Sequence, residues 1–180
     1  MKKLGWIFAG VCAVGTTAGA AEDKAPAHNA QAHVVKMMDA KGADVGTISL
    51  TQTPNGVLLT GSLKGMPAGV HAIHVHEAGK CDAPAFKTAG GHFNPESKQH
   101  GMMNPNGQHA GDLPNIIVSA NGDVRFELLD GSVSLDSGPK SLKGAKGSSL
   151  VIHAKADDYQ GQPAGNAGDR VACGVIAPAS

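Results

Sequence analysis

Aromatic residues are scarce in this sequence, at 3% of 180 residues, which excludes a core built mainly on large ring side chains. Glycine is abundant instead, with 25 residues. Glycine and other turn-forming residues favour tight connections between short elements. A chain of this length can also bury a core of its own. The composition therefore predicts one domain of short elements joined by many turns.

Net charge is absent, because 15 basic residues balance 15 acidic ones. Proteins that bind nucleic acids or anionic membranes usually carry an excess of positive charge. We therefore expect neither nucleic acid nor a membrane as a partner. Electrostatic attraction of a ligand must come from charges local to a site.

The apolar run near the start of the chain, from Leu4 to about Val14, is too short to span a bilayer. It follows Met1-Lys2-Lys3 and precedes small residues that end in Ala18-Gly19-Ala20. This order is typical of a cleaved secretory signal peptide. We predict a signal peptide over residues 1–20, a flexible polar leader over 21–32 and one domain over 33–180. The Met-Lys-Lys start favours a bacterial protein and hence the periplasm.

Cysteine is rare, with three residues, and Cys12 lies in the predicted signal peptide. The mature chain keeps Cys81 and Cys173. They lack Cys-x-x-Cys spacing, and an oxidising compartment favours disulfides, so we predict that they pair. Two separate thiols or two metal ligands are the alternative. Closing a loop of about 90 residues would stabilise the fold by about 4 to 5 kcal/mol in the chain-entropy model.

Amphipathic helical patterns are missing, and short segments rich in β-branched residues take their place. Between two of these segments lies a long stretch, from Glu77 to Pro114, that is rich in Gly, Pro, Asn and His. A structureless loop of that length needs a metal or a disulfide to order it. The pattern predicts an all-β sandwich or barrel of eight strands. The expected strands are 33–40, 45–53, 57–64, 70–76, 115–120, 123–129, 149–154 and 171–176.

Histidine is the unusual excess, with nine residues. His74 and His76 are two apart in a predicted strand, so both side chains point to one face and can share a metal, whereas His71 points to the other face. His28 and His33 lie in or beside the leader, and a metal role for them stays open. Further first-row metal ligands follow in the long loop and in a later strand, namely His92, His100, His109, Asp112 and His153.

Four separated motifs in this sequence resemble the copper-zinc superoxide dismutase family, and they cover nearly the whole mature chain. The family includes Greek-key sandwiches. The resemblance therefore implies an antiparallel, eight-stranded Greek-key sandwich or flattened barrel with a long metal-binding loop and a second active-site loop. The motifs are Gly69-Val70-His71-Ala72-Ile73-His74-Val75-His76, Gly91-His92-Phe93-Asn94-Pro95, His109-Ala110-Gly111-Asp112-Leu113-Pro114-Asn115 and Gly168-Asp169-Arg170-Val171-Ala172-Cys173-Gly174-Val175-Ile176.

The resemblance implies one copper ion and one zinc ion per chain, with His92 shared as a bridging imidazolate. Three imidazoles and a carboxylate suit structural zinc. The implied reaction is the disproportionation of superoxide to oxygen and hydrogen peroxide, in which His92 supplies a proton. The implied ligands are His74, His76, His92 and His153 for copper, and His92, His100, His109 and Asp112 for zinc.

Two further residues acquire roles through the resemblance. Arg170 matches an arginine that guides the substrate anion to copper, and an ordinary surface arginine is the alternative. Asp157 matches a carboxylate that hydrogen bonds to one copper ligand and one zinc ligand, here His74 and His100. Its neighbour Asp158 competes for that role. A homodimer is possible, and the sequence does not decide it.

Two other functions compete with the enzyme. A non-enzymatic copper-binding or carrier module on the same fold would need copper ligands, but not a bridging His92, a full zinc set and Arg170 together. A structural or adhesive sandwich with incidental histidines would retain no metal. The sequence favours the enzyme over both.

Overall fold

The computed structural model describes Met1 and residues 32–179. The predicted signal peptide and most of the leader, with Cys12 and His28, lie outside the described residues. None of the described helices is long and apolar enough to cross a membrane.

Nine β-strands make up the regular structure of residues 32–179. Buried positions alternate along strands such as β3, where Val57, Leu59 and Leu63 are buried, whereas every residue of β5 and β8 is buried. The strands are β1 (His33–Asp39), β2 (Asp44–Thr53), β3 (Gly56–Leu63), β4 (Gly69–His71), β5 (Ile73–His76), β6 (Ile116–Val118), β7 (Val124–Asp130), β8 (Ser148–His153) and β9 (Arg170–Ala177).

Seven of these strands form one curled antiparallel sheet in the order β5-β8-β9-β1-β2-β3-β7, and β4 pairs with β6 in a second, small sheet. The pairs β1–β9, β3–β7 and β5–β8 join strands that are distant in sequence, as Greek-key connections do. The core lies on the concave side and includes Ile48, Leu50, Leu59, Leu150 and Ile152. The predicted all-β fold is confirmed.

The single strand predicted over residues 70–76 is instead two strands in different sheets. The break falls at Ala72, whose N–H donates to Lys155 O while its carbonyl accepts from His153 N–H. His71 therefore ends β4, and its ring nitrogens each lie 2.8 Å from a carbonyl oxygen, of Pro67 and of His153. The His71 ring therefore contacts the backbone, apart from His74 and His76.

The long loop between β5 and β6 is anchored by a disulfide between Cys81 and Cys173 of β9, as predicted. A single 3-10 turn, Lys87–Ala89, lies inside this loop. Beneath it, Phe86 and Ala89 pack with Val151 and Cys173 in a small core of their own. The disulfide and this cluster attach the loop to β8 and β9, the strands that also carry His153 and Arg170.

Candidate metal centre

Two neighbouring strands and the long loop bring the first group of histidines together. β5 carries His74 and His76, and β8, which pairs with β5, ends at His153. His92 of the loop forms a bridge pair with His76. All four imidazoles are buried, and their ligand nitrogens lie within 4.8 Å of one another.

A second group consists of residues of the long loop alone, together with the same His92. Its members are His92, His100, His109 and Asp112, all of them buried. Asp112 Oδ1 lies 2.8 Å from His92 Nδ1 and 3.3 Å from His109 Nδ1. Asp112 Oδ2 lies 3.0 Å from His100 Nδ1, and the Nδ1 atoms of His92 and His109 are 3.4 Å apart. His92 therefore belongs to both groups.

Each imidazole of the first group uses one nitrogen within the protein, and the other has no hydrogen-bond partner among the described residues. His76 Nδ1 donates to Gly90 O at 3.0 Å, and His153 Nδ1 donates to Gly168 O at 3.2 Å. His74 Nε2 donates to Asp157 Oδ2 at 2.8 Å. The nitrogens left over are His74 Nδ1, His76 Nε2, His92 Nε2 and His153 Nε2. Buried nitrogens without partners are costly unless a ligand satisfies them, so this donor set fits copper.

The second group fits zinc by its spacing. Ligand atoms of a tetrahedral zinc site with Zn–N distances of about 2.0–2.1 Å are about 3.3 Å apart. The separations between Asp112 and the three histidines, and between His92 and His109, range from 2.8 to 3.4 Å. Three imidazole nitrogens and one carboxylate oxygen are also a ligand set that closed zinc sites use.

Burial keeps three imidazoles of the first group, those of His76, His92 and His153, unprotonated at neutral pH. It lowers the pKa of His92 to about 4, although a hydrogen bond to Asp112 opposes the shift. Burial, with a smaller contribution from charge on His74, lowers the pKa of His153 to about 3. Burial and charge on His92 also lower the pKa of His76 well below its ordinary value. Since only the unprotonated imidazole binds a metal, these rings are ready ligands at neutral pH.

His100 of the second group has the opposite pKa shift. Burial would lower the pKa of His100, but hydrogen bonds with Asp112 and Asp157 outweigh it and raise that pKa to about 9. Burial would raise the pKa of Asp112, but hydrogen bonds with His100, His109 and His92 outweigh it and hold that pKa well below its ordinary range. This buried, carboxylate-lined site therefore favours a cation, either a proton or a metal.

Asp157 connects the two groups without belonging to either. Its Oδ2 accepts from His74 and its Oδ1 accepts from His100 Nε2 at 3.0 Å. The carboxylate also accepts the Tyr159 N–H at 2.7 Å. Asp158, the competing acid, instead accepts from the backbone N–H groups of Gln160 and Gly161, so it organises the local turn.

Gly165 leaves the room that this carboxylate needs. Its φ is +64°, and a Cβ atom built there would overlap Asp157 Oδ1 and lie 2.6 Å from His100 Nε2. Only glycine satisfies both the left-handed backbone and the close approach.

Arg170 lies at the start of β9 beside the first group. Its guanidinium donates to Phe86 O and to Gly90 O, each at 2.6 Å. Gly90 O also accepts from His76 Nδ1, so the arginine and one candidate copper ligand share an acceptor. Arg170 and Lys87 line an open cleft of about 490 Å³. A fixed positive charge therefore faces solvent near the candidate copper ligands.

Sequence reasoning did not identify several residues that support the site. The carbonyls of Gly90 and Gly168 carry no side-chain signal. The amide of Asn115 exchanges hydrogen bonds with the backbone of Asp157. Asn115 ends one of the family-like motifs and Gly168 begins another, and these positions were the available signals. His33 contacts Ile176 O and lies outside both groups.

Comparison with known proteins connects this geometry to one family. The family model described as copper/zinc superoxide dismutase matches residues 45–176. The chain is 43% identical over 178 residues to "Superoxide dismutase [Cu-Zn] 2" of Aquifex aeolicus, covering 98% of this chain and 99% of that protein. It is 47% identical over 146 residues to a Cu-Zn superoxide dismutase of Caulobacter vibrioides, covering 79% and 83% of the two chains.

Solved structures of similar proteins also superpose on this chain. A double mutant of a superoxide dismutase-like protein from Bacillus subtilis superposes with a TM-score of 0.79 at 39% identity, over 81% of this chain and 97% of that one. The Cu/Zn superoxide dismutase of Brucella abortus superposes with a TM-score of 0.68 at 29% identity, over 81% and 99%.

Proposed function

Because this chain belongs to the copper/zinc superoxide dismutase family, we propose how its own residues contribute to the disproportionation of superoxide. The chain is an oxidoreductase that acts on superoxide, with one copper and one zinc as cofactors. The observation that carries the residue assignment is His92, whose Nδ1 faces Asp112 while its Nε2 lies buried without a protein partner.

The two cofactors would have different duties. His74, His76, His92 and His153 would hold copper, and His92, His100, His109 and Asp112 would hold zinc. Copper supplies a centre that accepts an electron from one superoxide and returns it to another, while zinc is structural. In total, two superoxide anions and two protons give one oxygen molecule and one hydrogen peroxide.

We propose that His92 delivers a proton to the second superoxide. Its Nε2 is the atom in question, because Nδ1 is directed at Asp112 at 2.8 Å. Nε2 could carry a proton taken from solvent only while it holds no metal, and that proton would then pass to the peroxide formed from the second superoxide.

Arg170 would attract and orient the substrate anion. The hydrogen bonds of its guanidinium to two carbonyl oxygens hold the charge in place, which favours guidance of an anion over the role of a free surface cation. Superoxide is small, so one fixed charge at the cleft is enough to orient it.

We also propose that residues 1–20 are a cleaved signal peptide and that the mature chain works in the periplasm. The disulfide between Cys81 and Cys173 supports this, because such bonds persist in oxidising compartments.

The test is elemental analysis of the purified mature chain, combined with a superoxide dismutation assay on the parent, His92→Ala and Asp157→Asn. We expect one copper and one zinc per parent chain. His92→Ala removes a ligand from each metal, so activity should collapse even in excess copper. Asp157→Asn keeps every ligand and should mainly lose zinc, by about 10- to 100-fold in affinity.

Two outcomes would overturn the assignment. Near-normal activity in His92→Ala would refute the bridge. Zinc retained without copper after copper loading would refute the enzyme and indicate a structural metal module. The copper carrier is not favoured, because a carrier has no use for the second group of ligands or for Arg170.

A further inference from the structure

The backbone of His100 is paired with a side chain that lies 62 residues later in the sequence. Its N–H donates to Gln162 Oε1 at 3.0 Å, and its carbonyl accepts from Gln162 Nε2 at 2.9 Å. One amide group therefore satisfies both backbone groups of a single residue. Since one planar amide makes both bonds, it fixes the two peptide units on either side of the His100 Cα atom.

The ring of His100 is bound by the loop between β8 and β9, which also contains Gln162. His100 Nε2 donates to Asp157 Oδ1 at 3.0 Å, and Asp157 precedes Gln162 by only five residues. The loop is itself fixed against the long loop, because the Met103 N–H donates to Tyr159 O and the Asn115 N–H donates to Tyr159 Oη. Ring and backbone of His100 are thus bound to one segment, from Asp157 to Gln162.

Gln162 is held in its own bonding position by a third contact. Its Nε2 also donates to Gln160 O at 3.0 Å, so the amide nitrogen has two acceptors and a defined orientation. His100 O has a second donor, Asn104 Nδ2 at 3.1 Å. Loss of the Gln162 amide would therefore leave the carbonyl of His100 partnered but would remove the acceptor of its N–H.

We infer that Gln162 is a positioning residue for His100, which pre-orients its Nδ1 for zinc and so raises zinc affinity. The inference rests on the proposed zinc set. A ligand that is already oriented loses less conformational freedom when the metal binds, and this gain appears as affinity. Among the described residues, the hydrogen bonds of the Gln162 side chain go to His100 and Gln160 and to none of the candidate copper ligands, so its effect should be confined to zinc.

Gln162→Met tests this inference, since it keeps the length of the side chain and removes both hydrogen-bonding atoms. The metal-free protein would be loaded with zinc alone and titrated with a competing chelator. We expect zinc binding about tenfold weaker than in the parent, from the loss of two hydrogen bonds beside a metal ligand. Copper retention should be unchanged.

Gln160→Met is the matched control. Gln160 lies in the same loop, and among the described residues its side-chain amide hydrogen bonds to Met103 Sδ alone, at 3.8 Å. Zinc affinity should remain at the parent value. Cobalt(II) in the zinc site adds a spectroscopic reading, because a displaced His100 alters the visible absorption of the tetrahedral ion. We expect an altered spectrum in Gln162→Met and the parent spectrum in Gln160→Met.

The outcomes separate this inference from the proposed function. If the parent binds no zinc, the zinc set itself is wrong and the inference falls with it. If the parent binds zinc and Gln162→Met binds it equally tightly with an unchanged cobalt spectrum, only the inference is wrong. Equal losses of zinc and copper, or a lower melting temperature of metal-free Gln162→Met, would show a general structural role and would also overturn it.

Discussion

Among the individual residues, the imidazoles of the first group share one arrangement. Each uses one nitrogen on a carbonyl or carboxylate of the protein and turns the other inward without a partner. The acceptor determines which nitrogen is free: Gly90 O engages Nδ1 of His76, whereas Asp157 engages Nε2 of His74. The tautomer and orientation of each ring are therefore set before any metal binds.

Arg170→Glu should slow dismutation and reverse part of its dependence on ionic strength, because a repelling charge replaces an attracting one beside the cleft. Copper content should barely change. Rates measured from low to high salt provide the test. Arg125→Glu makes the same charge change on β7, away from the cleft, and should leave the rate close to the parent value. A salt profile for Arg170→Glu equal to that of the parent would contradict substrate guidance.

Asp130 is a buried carboxyl outside the metal groups, and its Oδ2 has no hydrogen-bond partner. Burial raises its pKa to about 7, although a hydrogen bond from the Ser132 N–H and the charge of Lys140 oppose the shift, while the charge of Asp112 adds to it. The folded state therefore keeps a proton that the unfolded chain has lost between about pH 4 and pH 7. The stability that protonated Asp130 contributes is fully present below about pH 4 and is lost as pH rises to about 7.

Asp130→Asn should remove this loss of folding stability with rising pH, because the amide cannot ionise. The amide oxygen can still accept the Ser132 N–H. We expect the variant to gain stability relative to the parent as pH rises from 4 to 7, to a limit on the order of 4 kcal/mol. Denaturant unfolding at several pH values, in one metal state, measures this difference. A constant difference across that range would show that Asp130 does not titrate there.

The elements that matter most for the site are two loops, and the later one contains Asp157, Gln162 and Gly165. This later loop joins β8 to β9. It is short, yet it contacts the ring and backbone of His100 and the ring of His74. Each contact depends on the close approach of the two loops. Substitutions that separate the loops should therefore affect zinc even where they touch no ligand.

Gly165→Ala should weaken zinc retention by roughly 10- to 100-fold, because its Cβ would displace the Asp157 carboxylate from His100. Gly42→Ala is the matched control: its φ is +82°, and nothing lies within 4 Å of the added Cβ. Both variants carry a backbone strain of roughly 1 to 3 kcal/mol, but only Gly165→Ala meets the metal site. Chelator competition on both proteins separates strain from displacement, and equal zinc retention would refute the displacement.

The long loop depends in turn on the disulfide that attaches it to β9. Cys81→Ser should lower the free energy of unfolding by about 4 kcal/mol and loosen the segment that contains Arg170's acceptors, Phe86 and Gly90. Activity should fall with it. Calorimetry and the dismutation assay on metal-loaded protein are the measurements. A melting temperature equal to that of the oxidised parent would refute the structural role.

For the molecule as a whole, the two metal groups connect different parts of the fold. Three of the first group's four histidines lie on β5 and β8, which the sheet already holds in place. All four members of the second group lie in the loop between β5 and β6. The proposed zinc would therefore order a loop, whereas the proposed copper would occupy a site that the sheet largely forms.

Restoring zinc alone to the metal-free protein should thus protect amide hydrogens of residues 91–112 more than restoring copper alone. Zinc at 1,000 times its Kd should add about 4 kcal/mol to stability, because it binds the folded state only. Hydrogen exchange and melting temperatures on the two singly loaded proteins provide the test. Equal loop protection by copper alone would contradict the proposed zinc set.

The sequence by itself determined the fold class, the disulfide partners and the residues that form the two groups. Segments rich in β-branched residues and the turn residues between them are local signals, and they marked the strands to within a few residues. His74 and His76 were paired because neighbours two apart share a face of a strand. The ligand roles themselves stay predictions.

Only the tertiary structure decided which atoms meet. It divided residues 70–76 between two sheets, since Ala72 bonds to β8 and to the loop after it rather than continuing either strand. It also made partners of Gln162 and His100, and of Gly90 with both His76 and Arg170. Such contacts join backbone groups to residues 14 to 80 positions away. A backbone carbonyl leaves no mark on the sequence, so its partner is known only once the chain has folded.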